Sequence, residues 1–349
     1  MIESEESEEW ESEEWESEEW KREEWKSEEW KSEELGEEWE YDDEEENFEE
    51  SLARLQTGDT MLTTLELNQR CLAAAEARLL ADAVADNTTL ESLDLQWNQI
   101  GDEGAAALLH AVAGNGALRS LDLSQNDIRT VAPAAEAMLL RNSSLAHLSL
   151  RDNLLSADSA ASLAAGLRCN SSLRSLVLRS NRLQDLGGAA LAAALPHCAL
   201  DSLSLWGNSL GPLFAEALAD NLPAAASLTH LNLDYNRLGD SGAAALGRCL
   251  ADGAPLRFLS LHCNGISSQG VEWLCGCLSL SPSLTRVDLA LNEDPSPGVL
   301  AKLKAQLRLN RRNEPLRQAY LFALLCSSSL VGPVLQQPLF FFQQILERE

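Results

Sequence analysis

LESLDLQWN, residues 90–98, and LRSLDLSQN, residues 118–126, are two copies of one pattern, L-x-x-L-x-L-x-x-N. The pattern starts again at Leu145, Leu173, Leu200, Leu228, Leu256 and Leu284, and an earlier copy at Leu62 has Arg70 where the asparagine belongs. The nine starts lie 27 or 28 residues apart. Such a fixed period means that each unit is one supersecondary element stacked on the next. After the pattern comes a glycine-containing turn and then an Ala- and Leu-rich stretch at helical spacing, as in IGDEGAAALLHAVAGN, residues 100–115. One unit therefore reads as strand, turn, helix and return.

Counting the first leucine as position 0, the leucines at positions 3 and 5 point to one side of the strand and the residues between them to the other. The asparagine at position 8 ends the strand, where its amide can bond the buried backbone of the turn. Strands in a parallel sheet sit about 4.8 Å apart and packed helices about 8 to 10 Å apart. Stacking must then bend the array, with strands inside and helices outside. The expected fold class is α/β: a curved solenoid with a parallel sheet on its concave face and helices on its convex face.

These repeats resemble the ribonuclease-inhibitor-like class of leucine-rich repeat proteins, which also includes Ran GTPase-activating proteins and the repeat domains of cytosolic innate-immune receptors. The resemblance covers residues 57–312. It implies that partner proteins dock on the inner-wall and strand-end positions. On a fold that serves many partners, function has to be read from the site.

Positions 2, 4, 6 and 7 are expected to be exposed on the inner wall. They carry acids first (Glu66, Asp94, Asp122), then Arg151 and Arg179, then an aromatic patch of Trp206, Tyr235 and Phe258. Trp, Tyr and Arg are enriched among binding hot spots. The candidate partner-binding residues are Trp97, Arg151, Arg179, Trp206, Asp234, Tyr235 and His262.

No phosphate-binding glycine loop, HExxH or GxSxG motif is present. His147 and His230 share position 2 but stand three repeats apart, roughly 15 Å, too far to share a metal. Cys275 and Cys277 sit two residues apart, which on a helix is about 200° of rotation, so they diverge. No metal, cofactor or enzymatic activity is expected, and the eight cysteines are expected to be free thiols. The sequons at Asn87, Asn142 and Asn170 each fall just before a starting leucine and read as parts of the repeat.

Outside the repeats the composition changes. Residues 1–50 hold 27 acids against 4 bases, a net −23 of the chain's −29. A segment so charged is expected to be disordered. Its tryptophans at 10, 15, 20, 25 and 30 advance about 500° per step on a helix and so gather on no face. The tract is expected to bind basic proteins if it binds anything, and not nucleic acid, whose charge has the same sign. The opening MIESEESEEW has neither a basic n-region nor an apolar h-region, which places the expectation in the cytosol or nucleus.

At the other end, residues 319–346 carry no charge, a length that could span a bilayer. Pro333 and Pro338 break it, so 313–349 is expected to be a capping or association segment rather than a membrane contact. The expected function is a non-enzymatic intracellular interaction scaffold, its array running over residues 51–312. The alternatives are a GTPase-activating protein of the Ran type, for which no catalytic Arg or Asn can be matched to a position, and a histone-binding acidic chaperone.

Overall fold

The computed structural model describes residues 47–328, apart from 252, 279–280, 282 and 294–295, and of 313–328 it gives the course of the helix only. The expectations for the acidic tract before Asn47 and for residues 329–349 lie outside the described residues. All described residues belong to one compact unit that begins at Asn47.

The chain alternates helix and strand throughout: α1 (Phe48–Thr57), β1 (Thr64–Glu66), α2 (Ala74–Asp86), β2 (Ser92–Asp94), α3 (Gly101–Gly114), β3 (Ser120–Asp122), α4 (Ala134–Arg141), β4 (His147–Ser149), α5 (Ala157–Leu167) and β5 (Ser175–Val177). It continues with α6 (Gln184–Ala192), β6 (Ser202–Ser204), α7 (Pro212–Asn221), β7 (His230–Asn232), α8 (Gly239–Ala251), β8 (Phe258–Ser260), α9 (Ser268–Leu278), β9 (Arg286–Asp288) and α10 (Pro297–Ser328). The nine strands form one open parallel sheet in chain order. Register is unbroken: Leu65 faces Leu93, Leu93 faces Leu121, and so on to Leu259 against Val287.

Each strand is three residues long, at positions 2 to 4. The leucines at positions 0, 3 and 5 are buried from the first repeat to the eighth, as is the Leu or Ile at position 10 (Leu72, Ile100, Ile128, Leu155, Leu183, Leu210, Leu238, Ile266). Helix residues such as Leu80, Leu108, Leu163, Leu191, Leu218, Leu246 and Leu274 close the core from the other side. Close helix approach depends on small residues: a Cβ on Gly188 of α6 would stand 2.6 Å from the Phe214 ring of α7. Before the first strand, α1 buries Leu52 and Leu55 and covers the end of the core. The position expected to open the terminal segment, 313, falls inside α10.

Two asparagine ladders tie the units together. At position 8, the Asn98 Nδ2 donates to the carbonyl of Leu67 in the preceding repeat (2.8 Å) and to that of Leu95 in its own (2.9 Å). Its Oδ1 accepts the N–H groups of Arg70 (3.0 Å) and Leu72 (2.9 Å), both in the preceding repeat. Asn126, Asn153, Asn181, Asn208, Asn236, Asn264 and Asn292 each donate to the same carbonyl of the preceding repeat. Arg70 stands in the first repeat, which among the described residues has no preceding strand for an asparagine to reach. The second ladder lies at position −3, just past the C-terminal ends of the helices. Asn142 donates to the carbonyls of Val112 (2.7 Å) and Asn115 (2.9 Å) and accepts from the N–H of Ser144 (2.9 Å) and Leu145 (2.7 Å).

Asn87, Asn142 and Asn170, the three sequon asparagines, are rungs of this second ladder. All three are buried, and the Nδ2 that a glycan would occupy is spent on backbone carbonyls. The seven described cysteines are free thiols. Burial pushes Cys275 up to about 11, with Glu272 adding to the effect, and it raises Cys277 as well. No described helix is long and apolar enough to cross a membrane.

Candidate functional site

Positions 6 and 7 lie beyond the strand proper, where the ladder of backbone hydrogen bonds continues through a tight turn. The N–H at position 7 donates to the position-6 carbonyl of the next repeat, as from Ser180 to Trp206 (2.8 Å) and from Tyr235 to His262 (2.8 Å). All nine position-7 residues have positive φ, among them Trp97 (59°), Tyr235 (52°) and Gly207 (65°). This left-handed turn was not read from the sequence, which placed Trp97 and Tyr235 on the strand itself. It aims each side chain out at the strand end, and for a bulky residue it costs about 1 kcal/mol or more.

Across repeats five to eight, the turn lines side chains up into a column. The Arg179 guanidinium lies 4.2 Å from the centroid of the Trp206 ring. Trp206 packs on Tyr235 at 4.6 Å between centroids, tilted by 41°. Tyr235 packs on His262 at 5.1 Å and 32°. These separations are those of favourable cation–π and offset aromatic contacts. Tyr235 remains 44% exposed at the centre of the column.

The column runs on into repeat four. Arg151 Nε donates to Asp152 Oδ2 at 2.7 Å, and Gln125 Nε2 reaches the same oxygen at 3.3 Å. Partial burial of Asp152 opposes its ionisation. Hydrogen bonds from Ser180 and Arg151, with the charges of Arg151 and Arg179, outweigh that and hold the carboxyl below its usual range.

Asp234 lies under the column rather than on it, only 8% exposed. Burial pushes its carboxyl above the usual range, against hydrogen bonds from the Ser260 hydroxyl and the His262 N–H, while Asp288 adds to the rise. The His262 N–H donates to Asp234 Oδ1 at 2.8 Å, so this carboxylate fixes the strand end on which His262 sits.

A shorter second column stands at position 2. His230 and Phe258 have ring centroids 6.1 Å apart, and the Arg286 guanidinium lies 5.1 Å from the Phe258 centroid. Between the two columns the position-4 residues Asn232 and Ser260 are buried. The expectation that all of position 4 is exposed therefore fails mid-wall, because small side chains lie below taller neighbours in both columns. Ser149 is buried too, its hydroxyl 2.7 Å from that of Ser124.

Of the seven candidate residues, the structure brings together Arg151, Arg179, Trp206, Tyr235 and His262 in one column with Asp234 beneath. Trp97 stands apart in repeat two, 52% exposed at its own left-handed turn. Ser180, Gln125 and Arg286 were missed. The repeat register alone locates them, since they stand at positions 7, 7 and 2 beside residues that were named.

A leucine-rich repeat family model matches residues 86–109, 169–192 and 224–247, each window opening four residues before a starting leucine. No curated protein matches the chain. Among solved structures, the "Leiomodin-1 Actin-Binding Site 2 (ABS2)" is 13% identical over 79% of this chain and 98% of that one, with a TM-score of 0.23. The leucine-rich repeat domain of APL1 is 19% identical over 67% of this chain and 57% of that one, with a TM-score of 0.40. Nine strand–turn–helix units in a single register, three of them matched by that family model, make this chain a leucine-rich repeat protein.

Proposed function

We propose that the protein is a non-enzymatic scaffold of the ribonuclease-inhibitor-like class, acting in the cytosol or nucleus, that binds a partner protein on the strand side of its repeats. The observation that carries this reading is the continuous column Arg179–Trp206–Tyr235–His262, with Arg151 and Asp152 at its head. Aromatic and guanidinium groups already fixed against each other lose little side-chain freedom when a partner covers them. Trp97 would be an outlying contact. The acidic tract before Asn47 and the segment from 313 onward are assigned accessory roles, the first toward basic proteins and the second toward capping or association.

The test uses the Trp206→Ala/Tyr235→Ala double variant. A partner captured by the wild-type chain from cell lysate is purified and titrated against both. Binding is expected to weaken by at least about 2 kcal/mol, roughly 30-fold, while the array stays folded, its urea midpoint falling only by what the lost ring contacts contribute. Equal affinities would refute the reading.

A further inference from the structure

Charge is distributed unevenly along the wall. At positions 2, 4, 6 and 7, the repeats of β1 to β3 carry Glu66, Asp94 and Asp122 and no base, whereas those of β5 to β9 set Arg179 and Arg286 against Asp234 and Asp288. The three carboxylates occupy one register line, Glu66 beside Asp94 beside Asp122. Side chains of like charge on neighbouring strands repel each other. Covering them with cations relieves that repulsion, while covering them with apolar or acidic surface aggravates it. The aromatic column has the opposite character: its guanidinium is stacked on a ring, and its carboxylate, Asp234, is buried beneath.

Resting on the binding reading above, we infer that the wall is directional. It fits a protein partner that lays an apolar or aromatic anchor on Trp206 and Tyr235 and presents lysine or arginine side chains to Glu66, Asp94 and Asp122. The two zones centre on β2 and on β6–β7, four to five strand spacings apart, or about 20 Å. That is the distance the partner must hold between its basic cluster and its anchor. Trp97, exposed beside Asp94 at the end of β2, offers an aromatic face to the same cations.

Synthetic 24-residue peptides test this by fluorescence anisotropy on the full chain. All share a Leu/Phe block at one end, and the other end carries lysines, glutamates or serines. The lysine peptide is expected to bind at least tenfold more tightly than the glutamate peptide. The Glu66→Gln/Asp94→Asn/Asp122→Asn variant should show a smaller preference and a shallower salt dependence than wild type. The Trp206→Ala/Tyr235→Ala variant should weaken all three peptides alike and keep the preference. The acidic residues 1–50 are present in every chain, so only differences between chains report on the wall.

If the triple variant binds the lysine peptide like wild type, or the glutamate peptide binds as tightly, or no peptide binds, the directional inference is overturned. If the double variant leaves every peptide unaffected, the wall itself is the wrong site, and the binding reading falls with it. Thermal unfolding of both variants checks that the array stays intact.

Discussion

Repeats two to five and repeats six to nine share one front and differ at the back. The position-8 asparagine ladder runs through both sets, from Asn98 to Asn292. The position −3 ladder runs through Asn87, Asn115, Asn142 and Asn170 and then stops, with His197, Ala225, Gly253 and Ser281 in its place, until Asn310 closes the array by donating to the carbonyls of Ser281 and Leu284. Where it stops, 3-10 turns containing proline (Leu195–His197 and Leu222–Ala224) connect helix to strand. The rings of the column, Trp206, Tyr235 and His262, also lie in those later repeats. The difference teaches that the strand-end ladder is required to stack the units, whereas the rear ladder is one of several ways to return the chain to the sheet.

The sharpest way to break that comparison is to remove one rung of the rear ladder. Asn142→Ala removes the acceptor of two buried N–H groups and one of the donors to each of two buried carbonyls, and should destabilise the protein by about 3 kcal/mol. Ser281→Ala, the same position in the later set, should cost less than about 1 kcal/mol. Urea unfolding of the two variants side by side measures this, and equal losses would show that the serine does the asparagine's work.

A smaller effect separates two aromatic residues with the same strained backbone. Trp97→Gly removes the left-handed penalty and should leave stability within about 1 kcal/mol of wild type, on the stabilising side. Tyr235→Gly removes the same penalty but also both ring contacts of the column, and should destabilise by about 1 kcal/mol. If both variants shift the urea midpoint in the same direction, the column contributes nothing to the folded state.

The smallest effect compares Asp152 with Asp234. The folded pKa of Asp152 is lowered, so its contribution to stability is present above the unfolded value and lost as pH falls through the folded one. Asp152→Asn should therefore lower the melting temperature near pH 7 and matter less in acid. For Asp234 the folded pKa is raised, and wild type loses stability as pH climbs through it. Asp234→Asn keeps an acceptor for the His262 N–H and should melt slightly higher than wild type near pH 7, with the gain vanishing below the carboxylate range. Melting curves across pH for both variants would show opposite signs; the same sign would contradict one of the two environments.

The fold could be read from the sequence because its determinants are periodic. Leucines at positions 0, 3 and 5 and the asparagine at 8 recur nine times with one lapse each at Val287 and Arg70, and periodicity is what fixes both helix and strand. The site was legible only as a set of positions. Nothing in QWN or DYN announces a left-handed residue after the strand, because that conformation is imposed by the neighbouring repeat's carbonyl and by the asparagine that follows. Burial of Asp234 and Ser260 depends on the height of side chains one strand away, which a single repeat does not contain. The rear ladder was legible only in part: Asn87, Asn142 and Asn170 read as parts of the repeat, and only the stacking of the units shows what their amides bond.

The position-8 asparagines always reach backward. The amide that completes the turn of Arg70 belongs to Asn98, the amide that completes the turn of Ile100 belongs to Asn126, and so on along the chain. On a ribosome, where the N-terminal end emerges first, every repeat is provisional until its successor has been made. Folding of this array should therefore trail synthesis by one unit of 27 or 28 residues, with α1 ready at the start as the surface on which the first unit settles.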